Sequence, residues 1–392
     1  MAFILYAASC GVSRKLGEKL GLPIIISGAV LFRVLSAGPV ICDDDIYRYH
    51  WDGKVLAHGI NPYQHPPDAP DLQHLRDEHW DSISYRYIGT IYPPLTEALS
   101  AVSYLIWPEP GRIRVIAALF DLLTLVPIVL ILRRLGQSAN WAIAYAWNPL
   151  PIKEFANSGH LDSVAVCATM LALYLLMTAR PVRSGVLWGA SLLAKTYTLV
   201  LFPLYLRRHR WVGIIGLIVV GAAGIVPFLG AESAALDGTR AYAATWEFNS
   251  GLFALEQLAF GRDAAKVLNG LAWLAIAGLV MLRPERDESD ITRRAGLLIG
   301  AVLILSPVCN PWYVCWLLPI LCIHRSPAGL GFTALVMISY VYYLDAGLDP
   351  PGRVIEYTVL ALLLVWEHVS ANPHRLWRGL GAKARQLGAS KS

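Results

Sequence analysis

Long apolar runs separated by short polar breaks dominate the chain. The first clear run is Leu22 to Ile41, and the longest polar stretch follows, from Cys42 to about Thr90. Apolar runs then recur at about 92–107, 112–132, 139–152, 160–178, 185–206, 211–230, 263–282, 295–309, 312–323, 328–344 and 354–369. Several approach or exceed the roughly 18 residues that mark a membrane helix. The pattern predicts an all-α polytopic membrane protein, with structured loops at the two long interruptions 231–262 and 283–294.

Composition agrees with this. Of 392 residues, 33 are Lys or Arg and 28 are Asp or Glu, or 16% charged, against roughly 25% in an ordinary soluble domain. Mean hydropathy is +0.48. So few charges cannot coat a soluble globule, and the same figures exclude disorder. The net charge of +5 is dispersed in short clusters between apolar runs, as in cytoplasmic loops and unlike a nucleic-acid surface. The six Cys show no CxxC spacing, so neither a zinc site nor a disulfide framework is expected. Arg14, Lys15 and Lys19 follow the apolar N-terminus, which makes it a poor signal peptide.

The basic clusters set the topology. They are Arg14/Lys15/Lys19, Arg133/Arg134, Arg180/Arg183, Arg207/Arg208/Arg210, Arg283/Arg286/Arg293/Arg294, Arg325 and the tail from Arg375 to Lys391. Strict alternation of spans puts two of these clusters outside. Two changes bring them back. The run 92–107, which begins Tyr92-Pro93-Pro94 and contains Glu97, lies in the interface. The run 185–206 breaks into two half-helices at Lys195, which is tolerated where a helix lines a polar cavity. The expectation is one transmembrane domain over 1–392 with about 12 spans and both termini cytoplasmic. Residues 42–111 then form an outer catalytic loop with interfacial helices, 231–262 a second outer loop, and 370–392 a basic cytoplasmic tail.

Candidate chemistry concentrates where the first run ends. Asp43, Asp44 and Asp45 are consecutive there, followed by Tyr47, Arg48, Trp51 and Asp52. Adjacent carboxylates beside a membrane raise at least one pKa by repulsion and desolvation, which suits a base that deprotonates a sugar hydroxyl. A solvated acidic helix cap is the competing reading. The aromatic and arginine neighbours favour the first, since sugars stack on rings and phosphates seat in guanidinium forks. His160 and Asp162 sit at the outer end of a run, as substrate contacts or as a capping pair. Lys195 is an intramembrane cation, which calls for an anionic partner such as a lipid phosphate, or a snorkelling residue. Arg112, Trp246, Asn249, Trp312 and Tyr313 lie in outer segments and are read either as substrate contacts or as interface anchors.

The order Asp-rich start, Gly59-Ile60-Asn61-Pro62-Tyr63, then Tyr92-Pro93-Pro94-Leu95 is more specific than its parts. With the Asn148–Asp162 segment, the Leu193–Tyr197 turn, Trp246–Asn249 and Pro307–Pro319, it resembles GT-C glycosyltransferases, close to family 87 and the polyprenol-phosphomannose-dependent mannosyltransferases. The resemblance runs from about residue 22 to 323. It implies a GT-C-type bundle and an inverting transfer of a hexose, mannose above others, from a polyprenyl-phosphate donor. The acceptor is a glycan or glycolipid hydroxyl on the extracytoplasmic face of the plasma membrane. It also implies no cofactor and no metal, with Asp44 or Asp45 as general base, and Asp43, Asn61, Tyr63 and Tyr92 among the substrate contacts. No Gly-rich nucleotide loop is present in the sequence, in keeping with a lipid-linked donor. A polyprenyl-lipid transporter or flippase is the alternative class, and an assembly factor without activity a third.

Overall fold

The computed structural model describes all residues except 14, 210, 229, 231–237, 239, 241 and 372–392. The predicted basic tail beyond Ala371, and much of the start of the loop 231–262, lie outside the described residues. Among the described residues regular structure is helical, apart from a bridge between Phe248 and Val308.

Helices α1 (Ala2–Ser13) and α2 (Glu18–Leu35) open the chain. α2 stops short of Ile41 because Pro39 lacks an N–H and disfavours helix at Gly38. Asn157 Nδ2 takes over the freed carbonyls of Ser36 and Pro39, both at 2.9 Å. α3 (Asp45–Ala57) packs lengthwise on α4 (Pro94–Ile106) at a glycine. A Cβ on Gly53 would stand 2.4 Å from the Ser100 carbonyl, so the two backbones touch. The 13 residues of α4 fall short of the roughly 20 that a span requires. α5 (Ile113–Leu123) and α6 (Leu125–Arg134) make one rod within Pro110–Arg134, and with Arg262–Leu282 and Ala346–Ala371 it is long and apolar enough to cross a membrane.

Two predicted elements differ. The run 139–152 is a series of short helical pieces, because Pro149 and Pro151 lack N–H groups and the Asn148 side chain accepts from Leu150 N at 2.9 Å. A π-helical turn, Ile152–Asn157, then carries charged residues inward. The interruption 283–294 is shorter than expected: Asp287 caps Ser289 N at 2.8 Å, and a helix starts there.

The remaining principal helices are α7 (Asp162–Met177), α8 (Pro181–Ala194), α9 (Phe202–His209), α10 (Trp211–Ile225), α11 (Leu252–Phe260), α12 (Arg262–Leu282), α13 (Ser289–Leu305), α14 (Leu318–His324), α15 (Pro327–Leu335) and α16 (Asp349–Ala371). Almost every side chain of α7 is buried, so it forms the bundle axis.

The run 185–206 breaks at Lys195, as its charge predicts. Lys195 is extended (φ −157°, ψ 130°), and a 3₁₀ turn, Thr196–Leu201, links α8 to α9. The chain reverses here: Ser184 and Tyr205 hydroxyls meet at 2.9 Å, Trp188 donates to the Thr198 carbonyl at 2.9 Å, and Trp188 stacks on Tyr205 at 4.1 Å. Lys195 is therefore the apex of a re-entrant hairpin. Thr96 of α4 donates to the Ala194 carbonyl at 2.7 Å and ties the apex to the first loop.

The bundle has two unlike ends. Arg133 pairs with Glu18, Arg134 with Glu288 and Arg207 with Glu285, while Arg325 reaches Gln137. Arg133, Arg134, Arg207 and Arg325, all predicted to be cytoplasmic, thus gather at one end, and the three aspartates occupy the other.

Candidate functional site

Asp43 and Asp44 follow the loop leaving α2, and Asp45 opens α3. Asp43 Oδ1 accepts from Asp45 N at 3.0 Å, which turns the Asp43 carboxylate inward. There it lies 2.7 Å from His160 Nε2 and 3.9 Å from Lys153 Nζ. His160 is buried between Trp312, stacked at 3.9 Å, and three carboxylates. Its Nδ1 is 3.6 Å from Asp45, and its Nε2 is 3.4 Å from Glu154.

The electrostatics follow from these distances. Burial lowers the His160 pKa, but Asp43, by charge and hydrogen bond, with Glu154 and Asp45, overcomes this and holds it at about 10. Burial raises Asp43, but the His160 charge and hydrogen bond, with Lys153, bring it below its ordinary value. Asp45 is pushed up to about 6, first by burial and then by Asp43, with Asp44 adding to it and His160 and Lys195 opposing. Burial also raises Asp44, against a hydrogen bond from Ser84. One of the three is thus a committed anion, and Asp45 titrates near neutrality.

Asp43, Asp45 and His160 offer ligand atoms within 4.8 Å of one another. The imidazole is protonated at neutral pH, so a divalent cation would have to displace that proton.

A cavity of about 460 Å³ opens beside the carboxylates. Lys195, Tyr92, Arg48 and Arg353 line it. Its walls are aromatic: Tyr85 lies against Trp246 at 4.4 Å, and the Tyr242 and Tyr313 hydroxyls share a hydrogen bond of 2.8 Å. Lys195 Nζ is 3.0 Å from Asp162, whose other oxygen accepts from Trp316 Nε1 at 2.7 Å. The intramembrane cation therefore has a protein partner and still faces the cavity.

Of the residues singled out in the sequence, Asp43, Asp44, Asp45, Arg48, Tyr92, Lys195, Trp246, Asn249, Trp312 and Tyr313 line this cavity. Asn249 is also tied to Glu356 at 3.0 Å. His160 and Asp162 stand directly behind the lining. Asp52 lies beneath it and holds Arg48 at 2.8 Å. The others lie elsewhere. Trp51 and Tyr47 pack in a separate small core with Val55, Leu72, Leu75 and Ile83. Asn61 accepts from Tyr63 N at 3.1 Å, and Tyr63 donates to the Tyr92 carbonyl at 2.7 Å, so both shape the loop. Arg112 pairs with Glu109 at the surface.

Several residues at the site escaped the reading of the sequence: Lys153, Glu154, Ser84, Tyr85, Tyr242, Tyr340 and Arg353. Tyr340 donates to Glu154 at 2.7 Å and also meets Lys153, which completes the charge cluster behind Asp43. The signal for Lys153 and Glu154 was available: charges flanked by apolar runs are functional candidates by default. The tyrosines carried no comparable mark.

Two family models match successive parts of the chain. The alpha-(1->6)-mannopyranosyltransferase N-terminal domain matches residues 32–207, and the MptB C-terminal domain matches residues 250–369. GPI mannosyltransferase 1 of Saccharomyces cerevisiae is 25% identical over an alignment that covers 83% of this chain and 86% of that protein. The first match contains the three aspartates, His160 and Lys195, and the second contains Trp312, Tyr313 and Arg353.

Proposed function

The chain is a GT-C mannosyltransferase-like membrane protein, and from that premise we propose that it moves mannose from a polyprenyl-phosphate donor to an acceptor hydroxyl, with inversion, on the extracytoplasmic face. Asp45 is the general base. The observation that carries this reading is its setting: a carboxylate titrating near 6 at the mouth of an aromatic cavity, facing Lys195. A base poised just below the working pH is mostly ionised yet still basic enough to accept a proton.

Each group then has a task. The acceptor hydroxyl gives its proton to Asp45 as its oxygen attacks the anomeric carbon. The bond from that carbon to the phosphate oxygen breaks, and the lipid phosphate leaves with the electron pair. Lys195, Arg48 and Arg353 face the charge that develops on it. The imidazolium of His160 moderates the Asp45 pKa and keeps Asp43 ionised. Trp246, Trp312 and Tyr313 offer ring faces to a sugar. The arginines gathered at the far end of the bundle support a cytoplasmic assignment for that end, with both termini on the same side.

The test is a transfer assay on purified protein with a panel of polyprenyl-phosphate sugars. Asp45→Asn should lose about a hundredfold or more in transfer while still binding donor. Flux of the lipid across a vesicle membrane that survives Asp45→Asn, with no transfer by the parent protein, would instead establish the transporter.

A further inference from the structure

A second cavity lies at the opposite end of the bundle. It measures about 1160 Å³ and opens between α12, α13, α14, α15 and α16. Ordinary ligand pockets measure roughly 300–1,000 Å³. Its wall follows α13 from Asp290 to Leu305, about 22 Å at the helical rise, which is most of the roughly 30 Å hydrocarbon core of a bilayer. That wall is apolar, with Leu297, Leu317 and Leu364 prominent. Its mouth carries Arg283, Arg286, Arg293 and Arg294.

These arginines divide into two pairs. Arg294 donates to the carbonyls of Arg283 and Pro284 at 2.9 and 2.8 Å, and Arg293 pairs with Asp290. The acids at the mouth are also engaged. Asp290 accepts from Arg286 N at 2.7 Å, and Glu367 accepts from Ser326 Oγ at 2.8 Å and Ala328 N at 2.9 Å. Arg283 and Arg286 are exposed, and their guanidinium groups have no partner among the described residues. The cavity thus ends in two free phosphate forks above a long apolar slot.

We propose that this cleft binds an anionic phospholipid, with its phosphate on Arg283 and Arg286 and its hydrocarbon chain along α13. A glycosyl donor is a poorer fit. Residues 306–313 lead from the far end of α13 into the carboxylate cavity, so a donor phosphate reacting beside Asp45 cannot also sit at the arginines. Basic residues at a membrane surface favour anionic headgroups, and the slot supplies the selectivity for a chain. A lipid seated here bridges α12, α13 and α16.

The experiment is native mass spectrometry of the delipidated full-length protein with phosphatidylglycerol, phosphatidylcholine and a polyprenyl phosphate as separate probes. Phosphatidylglycerol should bind in preference to phosphatidylcholine. Arg283→Ala/Arg286→Ala should weaken it roughly thirtyfold and leave phosphatidylcholine unchanged. Leu297→Trp, which narrows the slot, should weaken phosphatidylglycerol with both arginines intact. Equal binding of phosphatidylglycerol to the parent and the double variant overturns the proposal. So does a polyprenyl phosphate that displaces phosphatidylglycerol in an arginine-dependent way. Sugar transfer is read separately, so its loss with lipid binding intact counts against the proposed reaction and leaves this site standing.

Discussion

Replacing His160 with Gln removes a positive charge 3.6 Å from the Asp45 carboxylate and leaves a side chain that can still hydrogen-bond. At that distance and an effective dielectric of about 20, the lost attraction is about 4.6 kcal/mol, equivalent to roughly 3 pH units. The Asp45 side chain is 30% exposed, and water at its open side screens the pair. A net rise of about 1 to 2 units is the working figure. Asp43 tempers the rise, since without His160 it keeps the Lys153 ammonium at 3.9 Å and the Asp45 N–H and takes up a proton more readily. The sign is fixed by the role of a base. With Asp45 as the proposed base its protonated form is inactive, so the acid limb of kcat/KM, expected near pH 6 in the parent, should move upward in the variant. Transfer at pH 7 should fall about two- to tenfold and recover by about pH 9. Initial rates of mannosyl transfer from a polyprenyl-phosphate donor, measured from pH 5 to 9.5, decide the matter. A lowered plateau with an unmoved acid limb would sink this reasoning, because His160 would then act only through packing against Trp312.

Other perturbations test the frame. Gly53→Ala drives a methyl group into the Ser100 backbone at the α3–α4 contact, so it should cost about 1–3 kcal/mol of stability, read as a lower unfolding temperature in detergent. Arg33→Met strands the buried Asp121 carboxylate, which Arg33 binds at 2.6 Å. That variant should lose about 3–5 kcal/mol, and Arg33→Met/Asp121→Leu should recover most of it. Lys195→Met leaves Trp316 beside Asp162 but removes the cation that lines the cavity and is proposed to face the leaving phosphate. It should lower kcat about a hundredfold while donor affinity changes less, measured by single-turnover transfer and donor titration.

Much of the site was legible because it depends on local properties. Three adjacent carboxylates after an apolar run must repel one another wherever the chain goes. A lysine in the middle of an apolar run must break the helix or find an anion, and Lys195 does both. The outer aromatics Trp246, Trp312 and Tyr313 were legible as either substrate contacts or interface anchors, and the fold brings all three to the cavity wall. The continuous helix expected over 139–152 failed for a local reason as well, since Pro149 and Pro151 outweigh the apolar pattern around them.

Hydropathy and charge act residue by residue against a bilayer, so the membrane class, the acidic and basic ends of the bundle and the region of the candidate site could be read without a fold. Which charges meet was decided only by tertiary structure. Arg33 and Asp121 are 88 positions apart, and Lys195 and Asp162 are 33 apart. Asp43 and Asp45 are two positions apart and both border the cavity, yet Asp43 lies 2.7 Å from His160 Nε2 and 3.9 Å from Lys153 Nζ, while Asp45 stands 3.6 Å from His160. At low dielectric a shift of a few ångströms in such a contact changes a pKa by whole units. The division of labour among three identical side chains therefore rests on which helices pack side by side, and no local pattern encodes it.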